Sequence, residues 1–194
     1  MTLFLKTASA NDAALIADFA RHTFEAAFGP DNDPEDMRTY LDACFSIKQI
    51  KNELKNPDVR YLLAYADNLL AGYVKLEAGP PPDYDAALKP VQLSRIYVAP
   101  NLLGNGVGTQ LMQLTLKECR RLGYASVWLG VWDQNLRAHQ FYERCGYKKI
   151  GKKSFILGND KQADTVYLLQ PIKWIVSPMF ISRHLCAKDG CCFR

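Results

Sequence analysis

From residue 3 onward the apolar positions change period several times, and each change marks an element. LFLKT at 3–7 suits a short strand. Asn11 and Asp12 stand where a helix cap is expected, and Leu15, Ile16, Phe19, Ala20 and Phe24 follow at three- and four-residue steps, the spacing of an amphipathic helix. Gly29-Pro30 stops it. The polar stretch from Asp31 to Asp36 leads to a second helix with Met37, Tyr40, Leu41 and Cys44 on one face. Ser46 opens a third, IKQIKNELK (47–55), whose Lys48, Lys51 and Lys55 predict a solvated face, and Asn56-Pro57 closes it.

Beyond Pro57 the period falls to two. VRYLLAYA (59–66) and LLAGYVKLEA (69–78) read as strands joined at Asp67-Asn68 in an antiparallel hairpin. GPPPDYDAALKP (79–90) is proline-rich and predicts an irregular loop, and VQLSRIYVAP (91–100) a strand closed by Pro100. Residues 106–122 predict a long helix with Leu111, Met112, Leu114, Thr115 and Cys119 available for packing. ASVWLGV (125–131) is a strand, 136–144 a helix, and YKKIGKKSFIL (147–157) and ADTVYLLQ (163–170) the last two strands. Helices between strands, after an antiparallel first half, predict an α/β (α+β mixed) fold: one mixed sheet with helices on both faces.

Composition narrows the function. A chain of 194 residues is one ordinary domain, expected over 1–170, and no run approaches the roughly 18 apolar residues of a spanning helix, so no membrane partner is expected. The start, MTLFLKTASANDAAL, lacks a basic segment followed by a long apolar one, which favours a cytoplasmic location. The net charge of +4 is concentrated at the end: residues 171–194 hold four basic residues and one acidic, leaving 20 basic and 19 acidic in the body. A nearly neutral body argues against a nucleic-acid partner. Cys44, Cys119 and Cys145 are scattered through the body, and Cys119 and Cys145 read as buried thiols. Cys186, Cys191 and Cys192 crowd the tail, where exposure and oxidation are expected. Neither they nor His22, His139 and His184 have the spacing of metal ligands, so no metal is expected. The tail itself (171–194) has no clean period and reads as a packed appendage, as part of a homodimer interface, or as an irregular end.

The chemistry concentrates in a strand, a glycine-rich turn and a helix: LSRIYVAPNLLGNGVGTQLMQLTLKECRRLG. Gly104, Gly106 and Gly108 alternate at the helix start, where residues without Cβ allow a sharp turn and let several N–H groups point at one anion, reinforced by the positive end of the helix. A plain turn and N-cap accounts for the glycines as well. No Gly-Lys-Ser/Thr follows, so this is not a Walker loop, and the Ala99-Pro100-Asn101 insertion departs from the dinucleotide fingerprint. In the next segment, VWDQNLRAHQFYERCGYKKIG, Asn135 can cap a helix carrying Ala138, Phe141, Tyr142 and Cys145, which Gly146 ends. Phe141 and Tyr142 lie about 100° apart around that helix, so one can enter the core while the other addresses a groove. A core-edge tyrosine with a satisfied hydroxyl fits Tyr142 too.

Together the two segments resemble the Gcn5-related N-acetyltransferase (GNAT) superfamily. The family pattern Arg/Gln-x-x-Gly-x-Gly/Ala corresponds to Leu103-Gly-Asn-Gly106-Val-Gly108, with Leu103 departing from Arg or Gln. The pattern Asn-x-x-Ala-x-x-Phe-Tyr-x-x-x-Gly-Phe/Tyr is complete in Asn135, Ala138, Phe141, Tyr142, Gly146 and Tyr147. The likeness spans nearly all of 3–170. PEDMRTYLDACFS, the IYV…GNGVG…VWLGVWDQN block and SFILGNDKQADTVYLL are most similar to the PaiA-related spermidine/spermine N-acetyltransferases.

The resemblance implies a GNAT fold, with the mixed central sheet splayed in the middle, and acetyl-CoA (coenzyme A) as cofactor. It implies an acyl-CoA site made by Ile96, Tyr97 and Val98, by the turn Leu103, Gly104, Asn105, Gly106, Val107, Gly108 and Thr109, and by Asn135, Ala138, Phe141 and Tyr142. Because the family relies mainly on backbone N–H groups, Leu103 should weaken one contact rather than remove the site. Tyr142 is the implied general acid for the departing thiolate. The family's carboxylate on the fourth strand is absent, since Gln92-Leu93-Ser94 stands there. Glu77, Glu35 or Asp36 are the alternatives on the acceptor side, with Phe28, Tyr40 and Tyr73 as its lining. The implied function is direct acetyl transfer to a small-molecule primary amine, with a polyamine as leading acceptor. An amino acid, peptide N-terminus or drug amine is the second choice, and a non-catalytic acyl-CoA sensor the third.

Overall fold

The hairpin forms where the sequence places it. Asp67 and Asn68 adopt positive φ angles of 49° and 65°, the geometry a two-residue turn needs to match strand twist. It joins β2 (Val59–Ala66) to β3 (Leu69–Ala78). In this computed structural model, residues 2–83 and 89–172 are described. The middle of the 79–90 loop and the tail from 173, with its three cysteines, lie outside the described residues.

Seven strands make one sheet in the order β1-β2-β3-β4-β5-β7-β6. The others are β1 (Phe4–Thr7), β4 (Pro90–Val98), β5 (Ser126–Trp132), β6 (Lys148–Leu157) and β7 (Asp160–Leu169). β4 and β5 are parallel and the other neighbours antiparallel, which is the mixed sheet the pattern predicts. α1 (Ala13–Phe28), α2 (Pro34–Cys44) and α3 (Ile47–Lys55) precede β2. α4 (Val107–Arg121) crosses between β4 and β5, and α5 (Leu136–Arg144) follows β5.

The helices divide between the faces. Leu111, Met112 and Leu116 of α4 and Ala138, Phe141 and Tyr142 of α5 share one core with Leu62, Val74, Ile96, Val98, Leu129 and Val131. Ile16, Ala20 and Phe24 of α1, Met37 and Leu41 of α2 and Ile50 of α3 share the other with Tyr61, Leu63, Tyr73, Tyr97 and Trp132. Caps fix the starts: Asp33 accepts from the N–H groups of Glu35 and Asp36, and Ser46 from that of Gln49.

Three local expectations are corrected. Leu15 is 42% exposed rather than packed, because it falls on the outer side of α1 beside the buried Ile16. Asp12 does not cap α1 by hydrogen-bonding to that helix; its carboxylate accepts from Ser9 N–H (2.7 Å) and Oγ (2.9 Å) and from Lys6. β7 begins at Asp160, three residues earlier than expected, because Gly158 (φ 59°) and Asn159 form a tight turn.

Candidate active site

The last rung between β4 and β5 is Gln92 opposite Trp128, yet both strands run on, to Val98 and Trp132. They therefore open a V, the splayed sheet of the expectation. β4 carries a bulge at the vertex. On β3, Lys75 faces Arg95 while Leu76 faces Leu93, so Ser94 has no opposite number. Such an extra residue increases twist and bends a strand, which is what leads β4 away from β5.

Beyond the bulge the main chain alternates. Ala99 N–H donates to the Ala71 carbonyl at 2.9 Å, so Tyr97, two residues back, bonds toward β3 as well. The intervening Ile96 and Val98 turn their N–H and C=O groups to the open side. At the wide end stands the glycine turn, with Gly104 at φ 82° and Gly106 at φ 75°. Gln110 donates the first i→i−4 bond, to the Gly106 carbonyl at 3.1 Å. The N–H groups of Val107, Gly108 and Thr109 precede it, and the residue at the cap position, Gly106, has no side chain to cap them. A Cβ on Gly106 would meet nothing within 4 Å among the described residues, so the turn leaves room beside Gly106. Asn105 and Thr109 are exposed at its rim. Leu103 packs on the aliphatic core, which explains how an apolar residue sits in this turn.

On α5, Asn135 Oδ1 accepts from Ala138 N–H at 3.1 Å, so its carboxamide oxygen serves the helix. Ala138 and Phe141 are buried. Tyr142 is 1% exposed, its ring 5.4 Å from those of Phe141 and Tyr147 and 6.2 Å from that of Tyr167. The turn, the open edge of β4 and Tyr142 thus border one face of the sheet.

The opposite face is aromatic and charged. Tyr61, Tyr73 and Tyr97 stack across β2, β3 and β4, with centroids 6.1 and 5.5 Å apart. Phe28 lies edge-on to Trp132 at 6.3 Å, and Tyr40 packs on Phe24, Phe45 and Phe155. Beside the stack, Glu53 accepts from Lys75 (3.0 Å), from the Tyr61 hydroxyl and from Gln49 (3.1 Å), and pairs with Arg95 at 3.4 Å. Burial pushes the Glu53 carboxyl up, but the Arg95 and Lys75 charges and the Tyr61 and Gln49 hydrogen bonds outweigh it and hold it below its usual range. Burial keeps the Tyr61 phenol protonated.

The three acceptor-side carboxylates are separated. Glu77 pairs with Lys75 at 2.9 Å. Glu35 is exposed and pairs with Arg38. Asp36 Oδ1 accepts from Asn159 N–H at 2.7 Å and pins the β6–β7 turn against α2. Gln162 links that region to the Phe28 end: its Nε2 donates to Asn32 Oδ1 (2.8 Å) and Asp160 Oδ2 (2.6 Å), while Asn32 donates to the Phe28 carbonyl (2.7 Å).

Sequence reasoning passed over Trp128, Gly130, Trp132, Lys153 and Asp164. Trp128, Gly130 and Trp132 share one side of β5 by strand alternation, beginning at the last rung. Asp164, opposite Trp132 on β7, is 1% exposed. A glycine inside a strand and a carboxylate inside the apolar run ADTVYLL were the available signals. Among the described residues no His, Cys, Asp or Glu group is arranged to hold a metal, and no helix is long and apolar enough to cross a membrane.

Residues 16–147 match the family model of the Acetyltransferase (GNAT) family. An uncharacterized N-acetyltransferase of Mycobacterium bovis is 34% identical over 155 residues, 80% of this chain and 95% of that protein. A spermidine N(1)-acetyltransferase of Thermoplasma acidophilum is 22% identical over 76% of this chain and 89% of its own. Among solved structures, the PaiA N-acetyltransferase of T. acidophilum in complex with coenzyme A superposes with a TM-score of 0.68 at 20% identity, covering 88% of this chain and 99% of that one.

Proposed function

Because this chain belongs to the GNAT family of acetyltransferases and is an acetyl-CoA-dependent N-acetyltransferase, we propose that it acetylates a primary amine carrying a second cation, a polyamine such as spermidine or spermine, by direct transfer in one ternary complex. The observation that carries the transfer geometry is the V between β4 and β5 with donor groups at its wide end. The residues fit the cofactor: the N–H groups of Val107, Gly108 and Thr109, which precede the first helical hydrogen bond, suit a pyrophosphate, and the main-chain groups of Ile96 and Val98 suit the amides of pantetheine. Acetyl-CoA supplies the thioester when bound. The chain's own work is to hold it from these backbone groups, to admit the amine from the aromatic face, and to deliver a proton from the Tyr142 hydroxyl to the leaving sulfur.

The polyamine rests on narrower support. Asp31, Asp33, Glu35 and Asp36 follow directly on Phe28, and Asp160 is tied to them through Gln162 and Asn32. The Gln162 Oε1 is a buried acceptor with no hydrogen-bond partner among the described residues. Anions at the Phe28–Trp132 end would meet a distal cation, and the T. acidophilum relative is by name a spermidine acetyltransferase. Coenzyme A release measured over a panel of amines is the test. Spermidine should exceed butylamine in kcat/KM by about fivefold or more at low ionic strength. Equal values dismiss the polyamine, and preference for a peptide or amino acid selects that acceptor instead.

A further inference from the structure

We propose that Asp164 and the indole of Trp128 form the subsite for the ammonium group of the acceptor, and that the ammonium of Lys153 occupies it until substrate displaces it. The inference rests on the acetyl-transfer reading for its purpose, and on the β5–β7–β6 half of the sheet for its geometry.

Lys153, Asp164 and Trp132 are opposite one another across β6, β7 and β5. The Lys153 side chain does not stay in that row. It leans along the sheet over Gly130, where an added Cβ would collide with its Cε, and brings Nζ to 5.7 Å from the centre of the Trp128 ring. Asp164 Oδ2 stands 2.9 Å from the same absent Cβ. Gly130 is the second residue past the last β4–β5 rung, so a carboxylate, an indole and a primary ammonium converge at the vertex of the V. The open edge of β4 and the start of α4, the groups that would hold acyl-CoA, border the same V.

The pieces have the chemistry of an alkylammonium site: an anion for the charge and an aromatic face for the N-methylene. The lysine is held there loosely. Its Nζ–Oδ2 separation is 3.9 Å, too long for a hydrogen bond, and its side chain is 24% exposed against 2% for Asp164. A flexible stem anchored on β6 can swing its charge to water, and doing so removes the ammonium of Lys153 from beside the carboxylate. Two of the other lysines of β6 are engaged elsewhere, Lys149 with Glu143 and Lys152 with Asp133. Gly130 is the residue that makes room, since any side chain there would separate Lys153 from β5.

A merely structural ion pair and a displaceable occupant respond in opposite ways. Removing the occupant frees the site, because an apparent affinity is reduced by the fraction of protein that is competent to bind. Calorimetry of butylamine and spermidine binding in the presence of coenzyme A reads this without turnover. Lys153→Met should tighten both by about threefold or more, and Asp164→Asn should weaken both by about tenfold or more. KM for the amine should move with them. Should Asp164→Asn fail to fold, Lys153→Met/Asp164→Asn removes both charges together, which buried pairs tolerate better. The double variant should bind no better than one-tenth as well as wild type, and a double variant that binds like wild type overturns the subsite. Unchanged binding in Lys153→Met, or weaker binding there, overturns the occupant. A wild-type protein that binds amines as described but releases no coenzyme A overturns the acetyl-transfer reading instead and leaves the subsite supported.

Discussion

On the α4–α5 side, β2, β3, β4 and β5 present Leu62, Val74, Ile96 and Leu129; on the α1–α3 side the same strands present Tyr61, Tyr73, Lys75, Arg95, Tyr97 and Trp132. The first face is aliphatic, and its chemistry comes from the main chain at its margin: the glycine turn and the unpaired edge of β4. The second is built from side chains that need exact partners, a tyrosine stack and the Glu53–Lys75–Arg95 cluster. Backbone groups can hold a constant ligand almost whatever side chains surround them. Side-chain clusters set what else can enter. On the proposed function, the first face would hold the donor and the second would select the acceptor.

The comparison is broken most sharply at Tyr142, the one polar side chain assigned to chemistry on the aliphatic face. Phenylalanine keeps the ring contacts with Phe141, Tyr147 and Tyr167, so a structural tyrosine loses only a hydrogen bond, about 0.5 to 1.5 kcal/mol. A proton donor loses about 10² to 10³ in single-turnover rate at saturating acetyl-CoA and amine, with acetyl-CoA affinity nearly unchanged. More than about a third of the rate surviving would return Tyr142 to the core.

Glu53 tests the other face through stability. Its side chain is 12% exposed and serves two cations, so Glu53→Gln should cost about 3 kcal/mol in denaturant unfolding, the lower end for breaking a buried pair because Lys75 keeps Glu77. The sign with pH is fixed. A carboxyl depressed in the folded state stabilises above its unfolded pKa, about 4.3, and that contribution is lost as pH falls through the lower folded value. Wild type should thus lose its margin over the variant below that pH, and a constant margin down to pH 2.5 excludes an ionised Glu53.

How much of this was legible follows the same division. Helices with caps at Ser46 and Asn135, the Asp67-Asn68 turn and the alternation in β2 and β3 are local, so the sequence carries them. The glycine turn is local as well. The V is not, because it depends on where pairing between β4 and β5 ends and on the bulge at Ser94, which register alone decides. The subsite is less legible still: Gly130, Lys153 and Asp164 sit on three strands, and nothing in the chain says that a lysine of β6 reaches over β7 to β5. Glu35, Asp36 and Glu77 were chosen for charge, yet Asp36 spends its oxygen on the Asn159 amide, a use only the tertiary structure reveals.

The smallest of the three effects sharpens the aliphatic face by separating backbone from charge at Gly106. At φ 75° any L-residue is strained, by roughly 1 kcal/mol, and an added Cβ meets nothing within 4 Å. Gly106→Ala therefore imposes the strain alone, and should leave the acetyl-CoA dissociation constant within about threefold of wild type. Gly106→Asp imposes similar strain, eased by the tolerance of aspartate for this conformation, and adds a negative charge where the pyrophosphate is assigned. Its dissociation constant should rise by at least about tenfold, an effect of about 1.4 kcal/mol, and the difference should shrink with added salt. Calorimetry on both folded variants decides it. Equal losses would mean that turn geometry rather than anion contact governs binding, and unchanged affinity in Gly106→Asp would move the phosphates away from the start of α4.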